Sequence, residues 1–426
     1  MQQIKTYSSG LRLVVEEMVG FTSVAFNIHV GIGALEEDDT NRGISHLIEH
    51  MLFKGTETRT AFQIANELKN IGAISNAYTG RDETVFYTRS VADYVENCVD
   101  ILSDMLLNSK FDEKELKREK KVVVEEIKMY KDDPSSVCVE ITDSSFYAGS
   151  PYATNIIGTK KSVLAITRQQ ILDYLAKNYI PENIVISFCG NITFEKAKEL
   201  TEKYFQPLLN GESKPNTRSF VRNVYPDKPI AKVCYKDNSQ SEVCISYPMV
   251  SSYSKEKYAA FLLNIVWGSG ANMSSRLFQR IREKKGLVYQ IYSTINHCEY
   301  GGDTSICFST STKNVPIALK EIKKEINKLI KYGITEEELK SAKTCIYTAE
   351  LLRQENTNSV AISNSRELMH YGEIIGIKEY LRRINEVTLE DVNNIIKYIY
   401  DNNHFVISCV GKYDQRENKI DLLKEF

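Results

Sequence analysis

No apolar run in the 426 residues approaches the roughly 18 needed to span a bilayer; the longest, such as Ala259 to Val266, are far shorter. No charge of one sign dominates: 54 Lys+Arg stand against 56 Asp+Glu, a formal net charge of −2. That balance excludes a general nucleic-acid binder, which carries a large basic excess, and leaves room only for a local patch. No two of the nine cysteines have the CxxC spacing of a zinc knuckle or redox pair. Cys189 and Cys409 fall in apolar strand-like runs, where a free thiol acts as a small hydrophobe. The opening Met1-Gln-Gln-Ile-Lys-Thr-Tyr7 has no apolar signal-peptide core. These absences predict a cytoplasmic protein with reduced thiols and no membrane attachment. Histidine is scarce, six in all, so a cluster of it is informative.

What is present is ordinary for a soluble globular chain, with 42% hydrophobic and 26% charged residues. The length suggests two or three domains. An internal repeat narrows this. Residues 167–190, TRQQILDYLAKNYIPENIVISFCG, match residues 388–411, TLEDVNNIIKYIYDNNHFVISCVG, at an offset of 221. Each copy opens on a Thr suited to capping a helix, continues as an amphipathic helix and ends as an apolar strand. Phe111-Asp-Glu-Lys-Glu-Leu-Lys117 pairs with Ile334-Thr-Glu-Glu-Glu-Leu-Lys340 at an offset of 223. The sequence therefore predicts a duplicated domain: 1–208, a linker at 209–228 rich in turn formers, and 229–426. In each half two strands (11–16 and 22–30; 231–236 and 242–248) precede two helices (43–53 and 60–71; 256–267 and 273–285). Two alternating strands (73–80 and 83–90; 287–297 and 302–311) follow, and helices and a last strand close the half. That order predicts an α+β fold: two homologous tandem domains, each a mainly antiparallel sheet with helices packed on one face.

The chemistry concentrates in Gly43-Ile-Ser-His46-Leu-Ile-Glu49-His50-Met-Leu-Phe53. Positions three and four apart share a helix face, so His46, Glu49 and His50 project together. The remaining positions are apolar nearly all round, which predicts a buried helix. Polar groups buried there need partners, and a divalent cation between the imidazoles supplies one. The pattern is H-x-x-E-H, the inverzincin arrangement. A catalytic zinc usually has three protein ligands. The charged helix from Glu113 to Lys131 offers Glu119 and Glu126, two turns apart on one face; Glu125, about 100° away, points elsewhere. Solvated charge on a Lys/Glu-rich helix is the bland alternative. At the repeat offset Glu119 and Glu126 become Ala342 and Ala349, and the counterpart of the His helix, near Phe261 to Gly268, has neither His nor Glu. Confinement to one copy favours function over scaffold.

On these residues the chain resembles the insulinase/pitrilysin family of zinc peptidases, in its two-domain branch like the mitochondrial processing peptidase. The carriers are Gly43 to Thr56 (GISHLIEHMLFKGT), Asn76-Ala-Tyr-Thr with Glu83-Thr-Val-Phe-Tyr87, Arg118 to Glu126, and Met273 to Tyr289. The resemblance implies Zn²⁺ held by His46, His50 and Glu126, with Glu119 in support. It implies a substrate edge strand containing Asn76 and Ala77, and peptide contacts from Arg282 and Tyr289. Glu49, beside a ligand yet poorly placed to bind the same ion, is the expected general base; Tyr289 is the expected donor to the oxyanion. Gly33-Ala-Leu-Glu36 and the loop Gly268-Ser-Gly-Ala-Asn272 depart from the family pattern. The expected activity is hydrolysis of short or unfolded peptides by a clamshell homodimer or a heterodimer with an inactive sister chain. A non-catalytic core subunit of the same fold is the alternative, against which the complete ligand set argues.

Overall fold

The computed structural model describes residues 2–211, 225–270, 272–299, 301–401, 403–413 and 420–426. Most of the expected linker at 209–228, and Ala271 of the loop before Met273, lie outside them. Two sheets organise the chain. The first holds β1 (Gln2–Thr6), β2 (Arg12–Glu17), β3 (Ser23–Val30), β4 (Ile74–Thr79), β5 (Thr84–Val91) and β6 (Ile184–Gly190) in the order β1-β2-β6-β3-β5-β4. The second holds β7 (Ile230–Tyr235), β8 (Ser241–Pro248), β9 (Gln290–Cys298), β10 (Gly301–Thr310) and β11 (Val406–Gly411) in the order β7-β11-β8-β10-β9. With β1 set aside the orders are the same. Each sheet has one parallel pair, β2 with β6 and β7 with β11, and antiparallel neighbours elsewhere. The repeat is therefore a repeat of topology. The two threonines expected to cap its helices do so: Thr167 forms a capping box with Gln170, and Thr388 with Asp391.

Alternation along the strands splits their side chains between two faces. In β3, Val24, Phe26, Ile28 and Val30 join the main core of the first unit. Helices α1 (Ile44–Leu52), α2 (Ala61–Asn70) and α3 (Val95–Asn108) lie over that face, contributing among others Leu47, Ile64 and Leu102. The other face is covered as well. Helix Thr357–Tyr371, from the C-terminal half of the sequence, packs Val360 and Ala361 on Ala25 and Cys189, and Leu368 and Met369 on Val14 and Val185. Gly31 lets it come close: a Cβ there would meet Met369 Sδ at 2.5 Å. Covered on both faces, β3 and β6 are buried almost end to end, with the polar Asn27, His29 and Ser187 among the buried residues.

The second unit repeats the device. Helix α4 (Glu113–Asp132) leads into α5 (Pro134–Phe146), which lies on β8 and β11 with Cys138 against Cys244 and Val410. The compact units are thus discontinuous in sequence: 1–127 with 155–219 and 351–375, and 128–154 with 220–350 and 376–426. Each half lends one helix to the other half's sheet, an exchange that the contiguous reading of the sequence does not contain. One expected helix, 273–285, is shorter; its regular core is a π-helical turn at Phe278–Glu283.

The lent helix of the first unit is tied to the sheet by charge. Arg366 donates to both oxygens of buried Glu83, Nε to Oε2 at 3.0 Å and a terminal nitrogen to Oε1 at 2.5 Å. His29 Nε2 faces Glu83 Oε2 at 3.3 Å, and His29 Nδ1 lies 3.2 Å from Ser365 Oγ. Burial pushes the Glu83 carboxyl up, but Arg366, His29 and the Tyr78 hydroxyl together outweigh it and hold the group down at about 2. A carboxylate whose pKa is depressed on folding stabilises the protein fully above its unfolded pKa, near 4.5, and loses that contribution as pH falls toward 2. Glu83→Gln should therefore lower stability at pH 7 by about 3 kcal/mol and flatten the acid limb between pH 5 and 2, as read by urea titrations at each pH.

Candidate metal centre

Helix α1 starts where the chain turns through Gly43, which takes φ 89°. A Cβ at that position would meet Ile157 O at 2.7 Å, so the entry fits only glycine. The first turn is held by a side chain the sequence did not single out. Glu37 accepts from Gly43 N at 2.7 Å and Ser45 N at 2.9 Å, closing two of the N–H groups a helix start leaves open. Burial pushes its carboxyl up, to about 7, against the pull of those two N–H groups. Ser45 in turn donates to Gly33 O and meets the Tyr174 hydroxyl. Ile44, Leu47, Ile48, Met51 and Leu52 are buried, so α1 has no rotational freedom left. His46, Glu49 and His50 come to one side together, as their spacing requires.

Helix α4 brings the carboxylates. It buries Leu116, Glu119, Val123, Val124 and Ile127; Glu126 is half-buried beside them, and Glu125 and Val122 are exposed. Glu126 Oε2 lies 3.8 Å from His46 Nε2 and 3.6 Å from His50 Nε2. The rings of His46 and His50 are 4.6 Å apart. His50 Nδ1 donates to Glu119 Oε2 at 3.3 Å, which turns Nε2 toward Glu126. Glu119 Oε1 is also paired with Lys54 Nζ at 2.9 Å. Lys54 lies just past the C-cap of α1, Phe53, where helix periodicity no longer places side chains, so the spacing did not single it out. Burial, aided by His50, pulls the His46 imidazole down to about 4, leaving it neutral and able to donate a lone pair at pH 7. Burial raises the Glu49 carboxyl, and the bond it accepts from Thr79 Oγ1 at 2.5 Å opposes this.

These donors fit a divalent cation. His46, His50 and Glu126 each offer one ligand atom, all within 4.8 Å of one another. Two donors held about 2.0–2.1 Å from a tetrahedral ion sit roughly 3.4 Å apart, close to the 3.6 and 3.8 Å found. A second set, His29, Glu83 and His370, has the same composition. It fits an ion poorly, because both Glu83 oxygens already face the Arg366 guanidinium.

The remaining expected residues fall as follows. Asn76 and Ala77 are on β4, paired with Tyr87 and Phe86, and β4 is an edge of its sheet. Asn76 is exposed and Ala77 packs against the core. Arg282 and Tyr289 belong to the second unit. Arg282 is on the π-helical turn with its guanidinium 4.6 Å from the Phe278 ring centre. Tyr289 is 74% exposed just before β9. At the repeat positions of the carboxylates, Ala342 is buried in the core of that unit.

Fold and centre together define a duplicated α+β chain with a two-histidine, one-carboxylate ligand set on one copy alone. The chain belongs to the insulinase family, peptidase family M16: the family's model matches residues 12–160, and the model of its inactive domain matches 165–345. An uncharacterized zinc protease of Bacillus subtilis is 32% identical over 399 residues, 93% of this chain and 96% of that one. One of Mycobacterium leprae is 30% identical over 415 residues, 97% and 92%. The crystal structure of a protease from Helicobacter pylori superposes with a TM-score of 0.90 at 21% identity, covering 96% of this chain and 99% of that one. A peptidase M16 inactive domain structure from Pseudomonas fluorescens gives 0.89 at 20%, covering 98% and 100%. No helix among the described residues is long and apolar enough to cross a membrane.

Two outcomes follow from the geometry. Glu119→Ala, which removes the acceptor orienting His50, should weaken zinc binding about 10–100-fold, measured by competition with a chromogenic chelator. Glu37→Ala should cost about 1–2 kcal/mol in chemical denaturation through loss of the cap on α1.

Proposed function

We propose that this chain is a zinc metalloendopeptidase that hydrolyses short or unfolded peptides. The observation that carries the reading is the joint placement of His46, His50 and Glu126 as converging ligands, with Glu49 on the same helix face and held by the edge strand through Thr79. His46 and His50 would hold the zinc through Nε2 and Glu126 through a carboxylate oxygen. When bound, the ion polarises a carbonyl and makes water acidic enough to attack at neutral pH.

The protein's own groups do the rest. Glu49 takes the proton of the attacking water and returns it to the leaving amine; burial raises its carboxyl, which suits a group that must both accept and release a proton. Glu119 fixes His50, and Lys54 fixes Glu119. Among the described residues no strand pairs with the outer edge of β4, so an extended peptide can add there as a further strand, with Asn76 and Ala77 at its side. Backbone pairing of that kind gives affinity with loose sequence selectivity. Tyr289, with its exposed hydroxyl, is the donor to the oxyanion and Arg282 the contact to the peptide. The working form is a dimer, of two such chains or of this chain with an inactive sister, in the cytoplasm. Among the described residues all nine cysteines are free, which suits a reducing compartment.

The test compares wild type with Glu49→Gln on an unfolded peptide mixture, with zinc measured on both. About one zinc per chain on each, with cleavage reduced about 10²–10⁴-fold in the variant, is the expected result. Zinc on both and cleavage by neither would overturn the peptidase reading.

A further inference from the structure

The two faces of β4 are tied to different parts of the first unit. Ser75, Ala77 and Thr79 alternate with Ile74, Asn76 and Tyr78. On one face Thr79 Oγ1 holds Glu49 Oε2 at 2.5 Å. On the other the Tyr78 hydroxyl donates to Glu83 Oε1 at 3.0 Å and accepts from Arg366 at 3.0 Å. Arg366 also pairs with both oxygens of Glu83, so Tyr78, Glu83 and Arg366 form a closed triangle across the β4–β5 hairpin. The turn itself is narrow: Gly80 N donates to Glu83 O at 2.7 Å, and Thr79 pairs with Thr84. The loop before α1 holds the turn's backbone through Ala34 N to Gly80 O and Leu35 N to Arg81 O. That loop holds the turn, whereas the triangle, together with the six-pair ladder to β5, restrains how β4 is rolled. The roll decides where the Thr79 hydroxyl points.

We infer that Arg366, on the helix lent to the first unit, is a positioning residue for the peptidase reaction: through Tyr78 and Glu83 it sets the roll of β4, and through Thr79 it sets the Glu49 carboxylate. The inference rests on the peptidase reading of the centre. The second His–Glu–His set is filled by an arginine acting as a built-in cation, and the edge where a peptide would add is held from behind by residues of the other half of the sequence. The general base and the edge strand are then set by one tie, so a peptide pairing with β4 finds Glu49 already oriented. Misplacement of a reacting group by about 1 Å can cost up to about 10²-fold in rate. With the loop contacts intact, a smaller loss is expected.

The experiment is a double-mutant cycle with Arg366→Gln and Thr79→Val in the full chain. It reads kcat and KM on one peptide, zinc per chain, and hydrogen exchange of residues 74–84 in the zinc-free protein. Arg366→Gln should lower kcat about tenfold at unchanged zinc content and speed exchange of the hairpin. Thr79→Val should lower kcat by a similar factor. The double variant should be no worse than about the poorer single one, because both cut the same path. If Arg366→Gln does not fold, Tyr78→Phe takes its place in the cycle, since it leaves the Arg366–Glu83 pair intact. Losses that multiply, a kcat that follows zinc content, or unchanged exchange of the hairpin would each overturn the inference while wild-type cleavage keeps the peptidase reading. Wild type that holds zinc and cuts nothing would overturn both, and faster exchange would then show a structural tie alone.

Discussion

Charge balance on the shared face of α1 and α4 governs the rest of the structure. Glu49, Glu119 and Glu126 bring three carboxyl groups into a partly buried space, against the one ammonium of Lys54. Acidic groups gathered there out of water are costly unless a cation joins them. A divalent cation meets that need. This explains why α1 is fixed so heavily, by Gly43, by the Glu37 cap and by an apolar surround. A helix free to rotate by even part of a turn would separate His46 and His50 from Glu126. It also explains why Glu126 faces both imidazoles while Glu119 faces one imidazole and a lysine. The first could share a cation with both rings, and the second could orient His50.

The second unit shows the same scaffold without that demand. Its sheet has the same strand order, and its own helix Lys257–Trp267 has neither histidine nor glutamate facing the positions that α1 uses. Ala342 lies in its core where Glu119 would be. With no charge to balance, apolar packing suffices. The asymmetry is therefore one of chemistry laid on a symmetric fold.

Much of this was legible in the sequence. The i, i+3, i+4 spacing of His46, Glu49 and His50 fixed their common face, and the seven-residue interval from Glu119 to Glu126 fixed theirs. The repeat of Thr167–Gly190 as Thr388–Gly411 announced two like units with capped helices. Other features were hidden for physical reasons. The apolar stretch of β6 read as a buried strand, yet nothing local says that one of its faces is covered by Thr357–Tyr371. Its sequence is rich in small polar residues, and its partners are more than 150 residues away. The Arg366–Glu83 pair spans 283 residues and leaves no periodic trace. Glu37 acts through two hydrogen bonds and Thr79 through one, to partners that only the fold brings near. The helix expected at 273–285 had the right composition, but its regular part is short and winds as a π-helical turn, Phe278–Glu283.

The exchanged helices also set the order of events on the ribosome. The first sheet is complete once β6 has been made, at Gly190, but the helix that covers its second face begins only at Thr357. At about 5–20 residues per second the ribosome needs roughly 10 to 30 s for the interval. During that time Val14, Ala25, Val185 and Cys189 form an uncovered apolar strip on an otherwise finished sheet. Exposed strips of this kind attract chaperones or other nascent chains. The first 208 residues, although they hold every candidate metal ligand named above, would meet the same difficulty if made alone.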